Sequence, residues 1–275
     1  MRRRDGGRVL SYSSLVLVSL VMLVPLVVIF LGSLKQDAEF RSSGPFTPPE
    51  NWLNLSNYAT ALVDGGMVGA FANTVLILVV SVAGTVLIGS MAAYAIDRFR
   101  FRFRKAVLSA FLVATLVPSV TTQVATFQVV NRLGLFDTRA AAIALFMGTD
   151  IVSIYIFLQF IRSIPRDLDE AAALDGASRL GVYWRIILPL LKPAIATVVI
   201  IKGIAIYNEF YIPFLYMPSR DLGVISTSLF RFKGPFSAQW EVISAGVIIV
   251  VLPTLVVFLL LQRWIYRGFA AGATK

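Results

Sequence analysis

Four stretches of this chain, residues 9–34, 65–96, 106–131 and 242–262, contain no charged residue. Each is long enough to supply the roughly 20 apolar residues that take a helix across a bilayer. In hydrocarbon the backbone polar groups must be satisfied within the protein, so runs of this length read as helices; barrel strands would be about ten residues long and alternate in polarity. Two further apolar stretches carry internal charges: 140–161 holds Asp150, and 186–207 holds Lys192 and Lys202. The expectation is an all-α integral membrane protein with six spans, at about 10–34, 71–96, 106–130, 140–161, 187–208 and 242–262, in a single transmembrane domain over residues 1–275. Composition agrees: 57% of residues are hydrophobic and 15% charged, against about 25% charged in a soluble domain. The chain has no Cys and no His, hence no thiol nucleophile, disulfide, imidazole acid/base or Cys/His metal site. No catalytic residue, metal or cofactor is expected.

The formal charge of +10 fits either nucleic acid or an anionic membrane surface; the apolarity selects the membrane, and no nucleic-acid partner is expected. With the N-terminus inside, Arg2, Arg3, Arg4 and Arg8, the run Arg98, Arg100, Arg102, Arg104 and Lys105, then Arg162, Arg166, Arg179 and Arg185, and finally Arg263, Arg267 and Lys275 all fall on one side. Lys35, Arg41, Arg132, Arg139, Arg220, Arg231 and Lys233 are scattered on the other. The positive-inside rule then places both termini in the cytoplasm of a multi-pass protein. The run 97–105 reads as a topology anchor at the lipid surface. The first span has the basic start of a signal peptide, but its apolar run exceeds the usual 7 to 15 residues and no small-x-small site follows, so it is expected to be retained.

The most informative segment is residues 163–193, on the inner side between the fourth and fifth spans. Pro165 can start a helix, Asp167, Asp169 and Glu170 suit its positive end, and Ala171, Ala172, Ala173 and Leu174 propagate it. Gly176 permits a turn or a close backbone approach, after which 177–183 can resume as a second short helix. Such a segment, about 165–184, is either a rigid knob that docks on a soluble partner or an amphipathic connector lying on the membrane.

Glu170, Ala171, Ala172, three residues, Gly176, nine residues, then Ile186, Leu188 and Pro189 reproduce the EAA signature of membrane subunits of binding-protein-dependent ABC importers. Other pieces resemble the carbohydrate-uptake branch, in particular the maltose-type second permease subunit: Leu55, Asn57 and Tyr58; Asn73 and Thr74; Tyr94, Ala95, Arg98, Phe99 and Phe101; Asn208, Glu209 and Phe210; and the glycine-rich tail. The resemblance implies a type I importer permease fold with a cytoplasmic coupling helix, in a prokaryotic plasma (inner) membrane. It implies a heterodimeric partner permease, two ATPase subunits, an extracytoplasmic solute-binding protein, a sugar substrate and surrounding membrane lipid. It also assigns ATPase coupling to Glu170, Ala171, Ala172, Asp175, Gly176, Leu188 and Pro189, and tail contacts with the ATPases to Gly272, Ala273 and Lys275. The loop 218–240 resembles a segment that reaches the binding protein's sugar cleft. The chain has no GxxxxGK[ST] loop, so hydrolysis is expected on the partner.

The EAA signature is shared by permeases for amino acids, polyamines and phosphate, which remain alternatives, as does an ion-coupled secondary transporter. Asp150 and Lys202 lie at matching depths, about 18 and about 20 Å from the inner side at 1.5 Å per residue. They are expected either to pair between adjacent helices or, with Asn208 and Glu209, to line the pathway. Gly84, Gly89 and Ser90 suit either a partner permease or packing within the subunit.

Overall fold

The computed structural model describes residues 3–148, 150–234 and 237–273. Among them every element is helical apart from an isolated bridge between Lys233 and Ala238. In chain order the α-helices are α1 (Arg3–Ser33), α2 (Asp37–Ser42), α3 (Ser56–Val63), α4 (Met67–Arg98), α5 (Arg104–Leu116), α6 (Ser119–Arg132), α7 (Arg139–Met147), α8 (Ile151–Ser163), α9 (Asp167–Leu174), α10 (Arg179–Val182), α11 (Leu188–Leu190), α12 (Lys192–Asn208), α13 (Tyr211–Tyr216), α14 (Ile225–Ser228) and α15 (Trp240–Ala273), with 3-10 turns at Arg220–Leu222 and Leu229–Phe232. A π-helical turn, Tyr183–Ile187, joins α10 to α11.

Three helices are individually long and apolar enough to cross a membrane: α1 over Ser11–Ser33, α4, and α15 over Trp240–Leu260. The stretch expected as one helix at 106–130 is two, α5 and α6, meeting at 108°. The cause is Pro118: its ring crowds the preceding residue out of the helical region, and Val117 is extended (φ −80°, ψ 117°). The expected spans at 140–161 and 187–208 are bent as well. Helices α7 and α8 meet at 43° across Gly148, and the segment Arg179–Leu190 meets α12 at 72°. Pro193 stands in the first turn of α12 and has no N–H to give to the Pro189 carbonyl, so no helix continues through Leu191. Pro189 likewise has no N–H to give to Arg185, and the chain widens there into the π turn.

The chain forms two compact units, Met1–Val68 with Ser228–Leu259, and Gly69–Thr227 with Leu260–Lys275. In the first, the C-terminus of α1 is closed by side chains from the loop and helix that follow. Asn57 Nδ2 donates to the carbonyls of Ser33 (2.9 Å) and Lys35 (2.7 Å), Asn54 Nδ2 donates to Leu34 O (3.0 Å), and Ser33 Oγ shares a hydrogen bond of 2.7 Å with Tyr58 Oη. These contacts satisfy carbonyls that a helix end otherwise leaves orphaned. Lys35, itself buried, donates from Nζ to Ser43 Oγ and Gly44 O. Higher in α1, Ser14 and Ser19 donate to carbonyls of their own helix.

In the second unit, Asn73 and Thr74 tether a distant loop to the first turns of α4. Asn73 Nδ2 donates to Asp221 O (2.9 Å) and Gly223 O (3.0 Å), Arg139 Nε donates to Asn73 Oδ1 (2.8 Å), and Ile225 N donates to Thr74 Oγ1 (2.9 Å). The larger core gathers the Arg98 end of α4 with α8 to α12 around Tyr94, Phe157, Leu158, Ile161, Tyr183 and Ile187. Gly84 lies against Met147, Gly89 against Phe157, and Ser90 Oγ bonds Tyr183 Oη at 2.8 Å, so all three serve packing within the subunit.

Asn57→Ala would leave two buried carbonyls without a donor, at about 1–3 kcal/mol each. The expected result is a lowered melting temperature of the detergent-solubilised protein, with Asn57→Asp no better because a carboxylate cannot donate. An unchanged melting temperature for both would remove this account of how α1 ends.

Candidate functional site

The segment after α8 is built by local rules. Helix α9 carries Asp167, Asp169 and Glu170 in its first turn, where the helix dipole favours negative charge. It ends in a Schellman turn: Gly176 has φ +79°, its N–H bonds Ala173 O at 3.1 Å, and Ala177 N bonds Ala172 O at 2.9 Å. A Cβ on Gly176 would meet nothing within 4 Å, so glycine is required there for the left-handed backbone and not for a close approach. Ser178 then caps α10 by accepting from Gly181 N at 3.1 Å. Two short helices at a fixed angle result, seated on the core by Ala172, Val182 and Tyr183.

A buried charge cluster fixes this seat. Asp97, 5% exposed, lies within ion-pair distance of Arg98 (3.0 Å), Arg104 (3.4 Å), Arg166 (3.5 Å) and Arg162 (3.8 Å). Arg166 also donates to Asp97 O at 2.9 Å and Arg98 to Ile164 O at 2.9 Å. Arg98 Nε is 2.5 Å from Asp169 Oδ2, close but off the hydrogen-bonding axis, so neither Asp169 oxygen is hydrogen-bonded. Burial pushes the Asp169 carboxyl above the usual carboxylate range, and the opposing pull of Arg98 and Arg166 does not cancel it. Nearby, Arg179 lies over the Phe99 ring at 4.9 Å, and Tyr94 Oη donates to Arg179 O. These groups border an open cleft of about 600 Å³ that also reaches Glu170, Ala173 and Ala177.

The side of α9 away from Ala172 is open: Glu170 and Ala171 are exposed and Leu174 is 90% exposed, and Leu168, one turn before Ala172, is exposed as well. Asp175 and Pro189 are exposed too, and Leu188 is half-buried. Of the residues expected to act together, Ala172 is buried in the core and Leu188 packs against it. Sequence reasoning missed Asp97 and Leu168, and gave Asp169 and Leu174 no role beyond building the helix. The available signal for Asp97 was that it is the only acid in a run of basic residues from 97 to 105.

Elsewhere the structure brings Asp150 and Lys202 together: Lys202 Nζ is 3.2 Å from Asp150 Oδ2, and Ser153 Oγ hydrogen-bonds the same oxygen. It does not add Asn208 and Glu209 to them. Asn208 donates to Ile204 O of its own helix, and Glu209 Oε1 accepts from the N–H groups of Tyr211 and Ile212 at the start of α13. Gly272 and Ala273 lie in the last turn of α15, and Lys275 lies outside the described residues. Among the described residues no cluster of Asp or Glu could hold a metal ion.

Long apolar helices, bent helix pairs and a short helical knob seated on a buried charge cluster are the features of a polytopic membrane domain. Residues 85–270 match the family described as binding-protein-dependent transport system inner membrane component. The chain is 30% identical over 263 residues, 94% of each chain, to the probable starch degradation products transport system permease protein AmyC of Thermoanaerobacterium thermosulfurigenes. It is 29% identical over 256 residues (92% of this chain, 91% of the relative) to the melibiose/raffinose/stachyose import permease protein MelC of Bacillus subtilis. A chain from the crystal structure of a bacterial ABC transporter involved in import of the acidic polysaccharide alginate superposes with a TM-score of 0.83 at 21% identity, covering 96% of this chain and 98% of that one. The chain belongs to the binding-protein-dependent inner membrane component family, the non-catalytic permease subunits of ABC importers.

Asp97→Asn would leave Arg98 buried beside a neutral amide and is expected to cost about 3 kcal/mol. Asp169→Asn is expected to be mild. A carboxyl whose folded-state pKa is raised weakens the fold in full above that pKa, and the cost shrinks on acidification until it is gone below the unfolded-state pKa. The Asp169→Asn protein should therefore melt no lower than wild type at neutral pH, and the wild type should lose that disadvantage as pH falls into the carboxylate range. Equal losses of melting temperature for the two variants would contradict the arrangement.

Proposed function

We propose that this chain forms half of the translocation pore of an ATP-driven importer for a sugar or oligosaccharide, as one permease domain in a prokaryotic inner membrane. The substrate class is supported by relatives named for starch degradation products, for melibiose, raffinose and stachyose, and for diacetylchitobiose. A second, similar permease completes the pore, two ATPase subunits bind below and an extracytoplasmic binding protein delivers solute from above. The positive-inside rule puts both termini and the α9 end of the domain in the cytoplasm.

The observation that carries the coupling role is the division of α9 into two sides. One is held to the core by Ala172 and, at the start of the helix, by Arg166 on Asp97, while the other offers Glu170, Ala171 and Leu174. A helix held this way transmits displacement as a rigid body: the ATPase groove receives Glu170 and the apolar residues beside it, and closure of the nucleotide sites moves the whole seat. Gly272, Ala273 and Lys275 make a secondary contact with the ATPases. Asp150 and Lys202 form a structural pair joining α8 to α12, since each charge at that depth needs a partner.

Two experiments test this reading. Glu170→Lys is expected to abolish solute-stimulated hydrolysis or ATPase copurification while leaving the membrane fold intact; survival of both would remove the coupling assignment. Exchanging Asp150 and Lys202 in a double variant is expected to recover the assembly that either single reversal loses. A double variant that assembles but does not transport would instead put the pair on the pathway.

A further inference from the structure

The turn joining α4 to α5 holds five cations and one acid between residues 97 and 105, and the structure divides them. Arg98 and Arg104, at the ends of the turn, are both committed to Asp97. Arg100, Arg102 and Lys105 are exposed, and none has an acidic partner among the described residues. Between them Phe101 and Phe103 stand out from the surface, 41% and 66% exposed. Lys105 also occupies the first turn of α5, the positive end of the helix dipole, where a cation is destabilising unless an anion compensates it. Asp97 provides that anion for Arg104; none stands within ion-pair distance of Lys105 among the described residues.

Unpaired cations interleaved with exposed aromatic rings, at the end of a helix long and apolar enough to span a bilayer, match one chemistry better than others. At the membrane boundary the rings enter the acyl region while guanidinium and ammonium groups meet phosphate oxygens. An acidic protein surface would satisfy the charges but leave the rings without an apolar partner. We propose that Arg100, Arg102 and Lys105, with Phe101 and Phe103, bind the headgroups of anionic phospholipids in the inner leaflet. The placement in that leaflet rests on the orientation given under the proposed function; the binding itself does not. The site is also linked to the coupling segment, because the Asp97 carboxylate that anchors both ends of the turn holds Arg166 beside the start of α9. An occupied site then stiffens the seat of α9.

The test uses the assembled importer in nanodiscs of phosphatidylcholine with and without phosphatidylglycerol, comparing wild type with the triple variant R100Q/R102Q/K105Q. Lipid retained by the purified complex is counted by native mass spectrometry. Each cation near an anionic surface contributes about fivefold to affinity, so the triple variant should bind phosphatidylglycerol more weakly by a factor on the order of a hundred. Its preference over phosphatidylcholine should vanish. F101S/F103S should weaken retention as well, and inorganic phosphate should not displace the lipid. Equal phosphatidylglycerol retention by wild type and triple variant overturns the proposal. So does displacement by phosphate, which indicates a simple anion site, and so does loss of ATPase copurification with lipid retention unchanged, which indicates a protein partner. Should the triple variant fail to assemble, Arg102→Gln and the salt dependence of wild-type retention give the same decision. Lipid counting needs no transport, so a complex that retains lipid but shows no sugar-stimulated hydrolysis contradicts the importer reading and leaves this one standing.

Discussion

The carboxylate of Asp97 is the point on which the α9 end of the larger unit depends. A buried charge is tolerable only with partners, and removing one side of such a pair leaves the other stranded at a cost of several kcal/mol. Here the partners come from the end of α4, the start of α5, the end of α8 and the residue preceding α9. One acid therefore ties the turn between α4 and α5 to the turn between α8 and α9, which lie far apart in sequence. Apolar packing alone could not fix their angles so narrowly, since side chains such as Leu and Ile tolerate small slides, whereas several guanidinium groups converging on one carboxylate do not.

The interruptions of the helices follow from a second constraint. Backbone breaks in a membrane domain are permitted where the freed groups find partners within the protein or in a wet cavity. Pro118, Gly148 and Pro193 break the helices where they occur, and each bend changes the direction of the chain without adding a charge. Part of this was legible in the sequence. Charge-free stretches marked α1, α4 and α15, and the spacing from Glu170 to Gly176 marked a helix and its terminating turn. The bends were not legible because hydropathy counts apolar residues and ignores backbone geometry. Pro118 lies inside a continuous apolar run, and only its effect on Val117 reveals that the helix stops.

The site was legible to a similar degree. Glu170, Ala172 and Gly176 follow a pattern along one segment, so a sequence reading can find them. Asp97 and Asp169 acquire their meaning from arginines in a distant part of the sequence, and nothing in the local sequence states which of many arginines will converge on which acid. Glu209 shows the converse. Its position near Asn208 invited a pathway role, while in the fold its carboxylate closes the start of α13 by accepting two backbone N–H groups, a common use of an acid just before a short helix.

Helix α1 buries only 6% of its apolar window against the rest of the chain. Its serines Ser14 and Ser19 satisfy their hydroxyls on their own carbonyls, so over this length it asks nothing of its neighbours. Such a helix is a complete solute of the lipid phase. During biosynthesis it can leave the translocation machinery and rest in the bilayer before any other span exists. Its connection to later segments waits for Asn54, Asn57 and Tyr58 to reach its far end, which makes the order of synthesis also the order in which this part of the domain is assembled.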